Sequence, residues 1–380
     1  MKYHYIFSGL GLAAIMTVIK MADENLLLNK KILIIEPDAK NVNDRTWCFW
    51  EERNGNWDSI VKHTWENAFF LNDQFKVNCL DNNLYKMIEG ERFYEFFKQK
   101  IKNLDVLWVN EKLVEFSERY DGVDVITNSN HYQGEYLFNS VYSLNSLLGH
   151  KKHPLLQQHF VGWFIKTNQP IFDPNQSFFM DFTVEQKANT RFMYVLPTTT
   201  NLALIEYTLF SPELLDLEDY EDEIKKYISN LGIDSYEVVA KEKGNIPMTS
   251  YPFWKKNTKR ILHIGTAGGW TKPSTGFTFK RTDLFTNRLI DEIKSQSIDF
   301  RNFKKGNRYD FYDDLLVKVL FEENHLGKSI FSSMFKLQNP ELILKFLDER
   351  TTLLEDFRII LSCPKMPFVR ALFSKLFYLK

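Results

Sequence analysis

An α/β fold built on a Rossmann-type nucleotide-binding unit is predicted by three features of this chain. Residues 9–14 (GLGLAA) fit the pattern GxGxxA between an apolar strand and a helix. A second apolar run, residues 31–36 (KILIIE), follows that helix and ends in an acid. Far downstream, residues 259–265 (KRILHIG) read as a buried strand that enters a glycine-rich loop. Strand, glycine turn, helix and strand is the opening of a dinucleotide-binding βαβ unit.

The elements follow in order. Residues 3–7 (YHYIF) form the first strand, and the helix after the turn is expected to run to about Leu28. Gly9 permits the tight turn, Gly11 lets the backbone approach a pyrophosphate, and small Ala14 allows close helix–strand packing. The free N–H groups and dipole of the helix N-terminus favour the anion. Glu36, at the end of the second strand, is placed to accept hydrogen bonds from ribose hydroxyls. FAD and NAD share this fingerprint. The late segment 264–277 (IGTAGGWTKPSTGF) favours FAD, because a loop of this kind returns to the flavin in many flavoproteins. Gly265, Thr266, Ala267, Gly268, Pro273 and Gly276 are its candidate cofactor residues.

Between these ends, residues 88–102 have a helical apolar face at Phe93, Phe96, Phe97 and Ile101. Residues 105–143 alternate weakly, with turn signals at 121–122 and 128–130, and suggest a small antiparallel meander. Several short strands rich in Phe and Tyr are expected over 160–210, a helix over 218–231, and mostly helix from 280 onward. The domains interleave: residues 1–72, 88–150 and 255–295 as a discontinuous FAD-binding domain, 73–87 and 151–254 as a β-rich substrate-binding domain, and 296–380 as a helical C-terminal region.

Apolar residues make up 44% and charged residues 26%, the balance of a folded globular chain. A net charge of −1 offers no basic patch or stripe for nucleic acid. Cys48, Cys79 and Cys363 are far apart and form no CxxC pair, so neither a disulfide framework nor a metal site is expected, and a reducing compartment fits. No apolar run reaches the length of a membrane span. Met1 to Lys20 has the charge and apolarity of a signal peptide, but its glycine spacing and the lack of a small-x-small site mark a folded element. Aromatic residues are 15% of the chain, including 33 Phe, which suits a Phe-rich core or a pocket for a large apolar or cationic ligand.

Several strings make the sequence specific. Residues 43–50 (NDRTWCFW), 179–182 (FMDF), 203–208 (ALIEYT), 244–248 (GNIPM), 265–277 (GTAGGWTKPSTGF), 346–349 (FLDE) and 353–356 (LLED) run almost the whole chain. With the N-terminal flavin segment they resemble the signatures of the lycopene cyclase family. The departures are Ala14 for the third fingerprint glycine, Tyr207 for the second acid of the FLEET form, and Phe277 for a Tyr. The resemblance implies a Rossmann-type FAD domain of the hydroxylase-like flavoprotein kind. It also implies reduced FAD as the active cofactor, with NAD(P)H as the reductant, and a lipophilic carotenoid as substrate. The implied reaction closes the linear ψ-ends of lycopene to β-rings, giving γ-carotene and then β-carotene. It is an isomerisation without net redox change. A proton reaches a terminal alkene, a neighbouring double bond attacks the cation, and a ring proton leaves.

Glu206 is the expected general acid. Its segment LALIEYTLF is apolar on both sides, and burial raises a carboxyl pKa so that a proton is available at neutral pH. Asp181 is a second candidate, as an orienting or relaying carboxylate. Arg45 is expected near the cofactor, and Trp47, Tyr207 and Phe182 near the substrate. Residues 367–380 (PFVRALFSKLFYLK) are apolar and cationic. They are expected either to lie in a bilayer interface, with Arg370 and Lys375 on acidic lipid, or to dock on the core. A membrane surface is thus an expected partner, with a cytoplasmic location, peripheral on the inner face of the membrane. Two other readings compete: a flavin monooxygenase of an apolar substrate, and a non-enzymatic prenyl-binding protein. Against the monooxygenase, Asp121 and Gly122 are followed by no suitable arginine, and Thr266 stands where such enzymes carry Asp.

Overall fold

The computed structural model describes residues 2–148, 150, 152–295 and 298–377. The expected α/β fold is the one found. The nucleotide-binding unit opens with β1 (Lys2–Ser8), α1 (Leu12–Asp23) and β2 (Ile32–Ile35). α1 stops at Asp23 rather than near Leu28. Asn25 and Asn29 both take left-handed backbone (φ 57° and 58°), a conformation Asn tolerates and a helix does not, so Leu26–Leu28 lie in turns. The chain continues through β3 (Thr46–Glu51), β4 (His63–Trp65), β5 (Asn67–Leu71), β6 (Lys76–Asn78) and β7 (Leu84–Glu89) to α2 (Gly90–Ile101). Next come β8 (Val106–Val109), β9 (Leu113–Glu118), β10 (Val123–Thr127) and β11 (His131–Asn139). The second half holds β12 (Leu156–Thr167), β13 (Gln176–Asp181), β14 (Thr190–Pro197), β15 (Leu202–Ser211), α3 (Leu217–Asn230), β16 (Tyr236–Met248) and β17 (Ile261–His263). The helices α4 (Phe279–Lys294), α5 (Arg308–Glu322), α6 (Gly327–Leu337), α7 (Pro340–Leu347), α8 (Leu353–Ser362) and α9 (Lys365–Phe377) complete it.

The first sheet has the order β8-β2-β1-β11-β10-β9, with β17 beside β11. Only β9, β10 and β11 form the antiparallel meander expected over 105–143. β8 runs parallel to β2, and β11 parallel to β1. Strands buried on both faces need no alternation, which is why β2 reads as an unbroken apolar run. α1 is buried along almost its whole length between this sheet, α2 and α4.

The second sheet has the order β16-β12-β15-β14-β13-β5-β6. β5, which the sequence reading placed within residues 1–72, runs along β13 in this sheet. α3 covers one face, against Ile205, Tyr207, Leu209 and Met193. The other face meets α6 and α7 through Phe192, Phe210, Phe331 and Ile343. β3, β7 and β4 make a small third sheet between the two larger ones.

α9 docks by Ala371, and two of its cations, Arg370 and Lys375, are held in ion pairs with the protein. Arg370 binds Glu323 in two hydrogen bonds of 2.6 and 2.8 Å, and Lys375 pairs with Asp314. Residues 378–380 lie outside the described residues. α8 is apolar on the wrong side for a docked helix. Leu353, Leu354, Phe357, Ile360 and Leu361 are exposed, while Asp356, Ile359 and Ser362 face in. Among the described residues no helix is long and apolar enough to cross a membrane.

Candidate active site

The glycine turn has the form a phosphate needs. Gly9 sits at φ +79°, and a Cβ there would fall 2.4 Å from Ser140 Oγ. Above Gly11 a Cβ would meet nothing within 4 Å. Gly11 is also the N-cap of α1 and offers no side-chain cap, so first-turn N–H groups stay free for an anion. Ala14 is fully buried. Glu36 lies against the same turn: Oε2 accepts from Leu10 N–H at 2.7 Å and Oε1 from Asp38 N–H at 2.9 Å. Each oxygen keeps a further lone pair for a ribose hydroxyl.

The late loop rests on this turn. After β17, Gly265–Gly268 make one turn of 3₁₀-helix, with Gly265 at φ +58°. A Cβ on Gly265 would come 3.1 Å from Ala13 Cβ, so the loop and the start of α1 are in van der Waals contact. Ala267 and Gly268 are buried in that turn. Thr266 and Pro273 instead border a small separate hollow with Pro247 and Gly269.

The loop's far end is clamped by the C-terminal helices. Lys272, 1% exposed, is bound by Asp313 of α5 at 3.1 Å and by Glu349 at 3.5 Å. Ser274 Oγ donates to Asp313 at 2.6 Å, Arg281 pairs with Glu349, and Lys280 reaches Asp348 at 2.5 Å. The FLDE string is therefore an electrostatic clamp on the loop, and the LLED string caps α8 through Thr352 and Glu355.

Between the loop and the second sheet lies a cleft of about 110 Å³. Its walls carry Trp47, Tyr85, Phe160, Tyr194, Phe277 and Phe279, with Gly276 at the loop side. An apolar hollow of about 30 Å³ shares Tyr194, Thr275 and Phe277 with it and runs on between Phe192, Phe210 and Phe331. Glu206 and Glu242 stand in the cleft wall. Burial pushes Glu206 well above the usual carboxylate range, and the neighbouring Glu242 adds to the effect. Glu242 is also pushed up by burial, while Thr46, Glu206 and Arg45 draw it back down. Gln158 Oε1 and Thr275 Oγ1, both beside the cleft, are buried without a partner among the described residues. The cleft thus joins a carboxyl of raised pKa, aromatic faces and unsatisfied polar atoms at the mouth of a nucleotide fold.

The family described as lycopene cyclase protein matches residues 5–373. The chain belongs to the lycopene cyclase family. The lycopene beta-cyclase of Pantoea ananas is 24% identical to it over 98% of both chains. Among solved structures, a geranylgeranyl bacteriochlorophyll reductase-like protein from Thermoplasma acidophilum has a TM-score of 0.57 at 13% identity, covering 98% of this chain and 96% of its own. The halogenase PltM, in complex with phloroglucinol and FAD, has a TM-score of 0.58 at 12% identity, covering 96% and 87%. These structures show a shared flavoprotein fold.

Within this cyclase fold the expected site residues divide. Glu206, Trp47 and Gly276 meet at the cleft. Trp47 packs edge-on against Phe93 at 5.5 Å between ring centres. Arg45 is exposed at the rim, and its charge is felt at Glu242 and Tyr142. Tyr207 does not face the cleft. Successive residues of a strand point to opposite faces, so with Glu206 turned to the cleft, Tyr207 turns to α3. There its hydroxyl accepts from Arg191 at 3.0 Å. Asp181 also lies away from the cleft. It accepts from Thr183 N–H at 2.8 Å and from the Tyr227 hydroxyl of α3 at 2.5 Å. Phe182 is buried behind the apolar hollow, against Phe70 and Phe192. Glu242 and Tyr194 were not anticipated from the sequence.

Proposed function

We propose that this chain is a flavin-dependent lycopene β-cyclase acting without net redox change, and that Glu206 is its general acid. The observation that carries this reading is the placement of Glu206: buried, and in the wall of an aromatic cleft that opens toward the late loop, where burial raises its pKa. A carboxyl held neutral at physiological pH can deliver a proton to an alkene. Thr208 Oγ1 donates to Glu206 Oε1 at 2.7 Å and fixes the orientation of the acid.

The residues present fit FAD: Gly9, Gly11 and the free N–H groups of α1 for the pyrophosphate, Glu36 for the ribose, and the 265–276 loop for the flavin. Bound in its reduced form, with NAD(P)H as the source of electrons, FAD would supply an electron-rich ring near the developing positive charge. The chain's own contribution to that charge is the set of aromatic faces at Trp47, Tyr85, Phe160, Tyr194, Phe277 and Phe279, which stabilise a cation by their quadrupoles. The apolar hollow beyond Tyr194 and Phe277 takes the neighbouring polyene. β-Rings, and hence γ-carotene followed by β-carotene, are the proposed products.

We further propose that the protein works on the inner face of the cytoplasmic membrane, seated by α8. Leu353 is 69% and Leu354 77% exposed, and Phe357, Ile360 and Leu361 continue the stripe. Met366, Val369 and Phe373 of α9 extend it. A large exposed apolar stripe beside Arg358 and Lys365 suits an anionic bilayer surface, where a lipophilic substrate resides.

The test is pigment analysis in a lycopene-producing host and turnover of lycopene by purified protein with reduced FAD. Glu206→Gln keeps the shape and a hydrogen-bonding end but has no acidic proton. Cyclisation should fall by about a hundredfold to ten-thousandfold with flavin retained. Near-wild-type ring formation by this variant would overturn the assignment.

A further inference from the structure

The register of the second sheet brings two carboxyl groups, not one, to the cleft. Gly162 of β12 stands opposite Glu206 of β15 on one side and Glu242 of β16 on the other. Directly opposed residues of neighbouring strands share a face. The strand between the two acids therefore carries no side chain at their level, and across the glycine each carboxyl is close enough to shift the other's proton affinity. Tyr194 of β14, opposite Glu206, closes the row. The outer oxygens are fixed as well: Glu206 Oε1 by Thr208 Oγ1 and Glu242 Oε2 by Thr46 Oγ1, each at 2.7 Å.

We propose that Glu206 and Glu242 act as one proton-sharing pair, with Glu242 as the second catalytic carboxyl of the cyclisation. The inference rests on the reading of Glu206 as the acid and deepens it. Two adjoining buried carboxyls resist double ionisation, so the pair holds one proton and one negative charge. Transfer of the proton to the terminal C=C forms a C–H bond from the π electrons. It leaves a cation on the substrate and two carboxylates in the wall. The next double bond attacks the cation, closes the ring and moves the charge to a ring carbon. A ring C–H then gives its proton to the pair, and its electrons become the new C=C. The pair ends as it began; nothing is oxidised or reduced, and no net proton is taken up. The second carboxylate places fixed negative charge where the cation forms, which is the useful place for it in a water-poor site.

Other groups face the pair and enter its titration. Arg45 and Glu89 act on Glu242, and Cys48, Tyr85 and Tyr194 surround Glu206. The test is kcat and KM as functions of pH for the FAD-loaded, reduced enzyme with lycopene in vesicles. Glu242→Gln removes a negative neighbour, so Glu206 should ionise at lower pH. The alkaline limb of kcat should move to lower pH and its plateau should fall by about a hundredfold, with KM little changed. Wild-type kcat with an unmoved alkaline limb would overturn the pair. Thr46→Val decides the case if Glu242→Gln misfolds. It strips a donor from ionised Glu242, so the limb should move to higher pH; an unmoved limb again overturns the inference. Full activity of Glu206→Gln would instead remove the underlying acid assignment, and the pair with it.

Discussion

Gly162→Ala is the sharpest structural perturbation of the carboxyl row. The new methyl would sit 2.8 Å from Leu204 Cδ1, 3.3 Å from Glu206 Cβ and 3.3 Å from Glu242 Cγ. Leu204 Cδ1 is the end of a flexible side chain and can turn aside. The other two atoms belong to side chains whose tips are held by Thr208 and Thr46, on strands paired along their length. Overpacking of this kind costs about 1–3 kcal/mol. Against it, Gly162 is not among the glycines with positive φ. Replacing a glycine of ordinary backbone by Ala returns about 0.4–1 kcal/mol through the unfolded chain. The net loss is about 0–2.6 kcal/mol, which a domain stable by about 5–15 kcal/mol survives. Catalysis is more sensitive, because a displacement of about 1 Å in a reacting group costs about a hundredfold. Urea denaturation and single-turnover cyclisation by the FAD-loaded protein give the two numbers. The expected result is a small drop in the denaturation midpoint with a far larger drop in rate. A destabilised variant that cyclises at the wild-type rate would refute the claim that Gly162 sets the carboxyl geometry.

Other expectations follow from the same structure. Gly11→Val should leave the denaturation midpoint near that of the unmodified chain, since nothing lies within 4 Å of the added Cβ, yet abolish bound FAD, read as flavin absorbance of the purified protein. Replacing Leu354 and Phe357 together by Glu should abolish flotation with anionic vesicles and leave turnover in detergent intact. Stability should fall as pH drops from 6.5 toward 4. Burial holds His159 and His263 down at about 4 from an ordinary 6.5, so in this window the unfolded chain binds more protons than the folded one. Equilibrium unfolding at pH 7 and pH 5 checks this, and His159→Gln should flatten the difference.

Much of the nucleotide unit was legible because its signals are local. A glycine turn, an apolar strand on each side and a terminal acid lie within 36 residues, and each constrains its own backbone. Glu206 was legible through its family string and its apolar neighbours. Tyr207 shows the limit of adjacency: one residue further along a strand is the opposite face. Asp181 sits in an equally apolar, aromatic stretch, but its strand shifts register beside it and its carboxylate meets α3. Glu242 was hidden for a different reason. It lies among charged residues on a partly exposed strand, EVVAKEKGNIPM, and reads as solvated. Only the pairing of β16 with β12, opposite a glycine, turns it toward Glu206. Register is a property of two segments together, and neither segment carries it alone.

The clamp on the late loop also sets an order of events during synthesis. Lys272 leaves the ribosome 77 residues before Glu349, its acidic partner. Until then a lysine destined for almost complete burial has only Asp313 as its counter-charge, and Arg281 lacks Glu349. A chain truncated before Asp348 and Glu349 would have its glycine turn and first sheet complete but its loop held by Asp313 alone. Such a product would bind cofactor loosely and be open to proteases at the 265–276 segment.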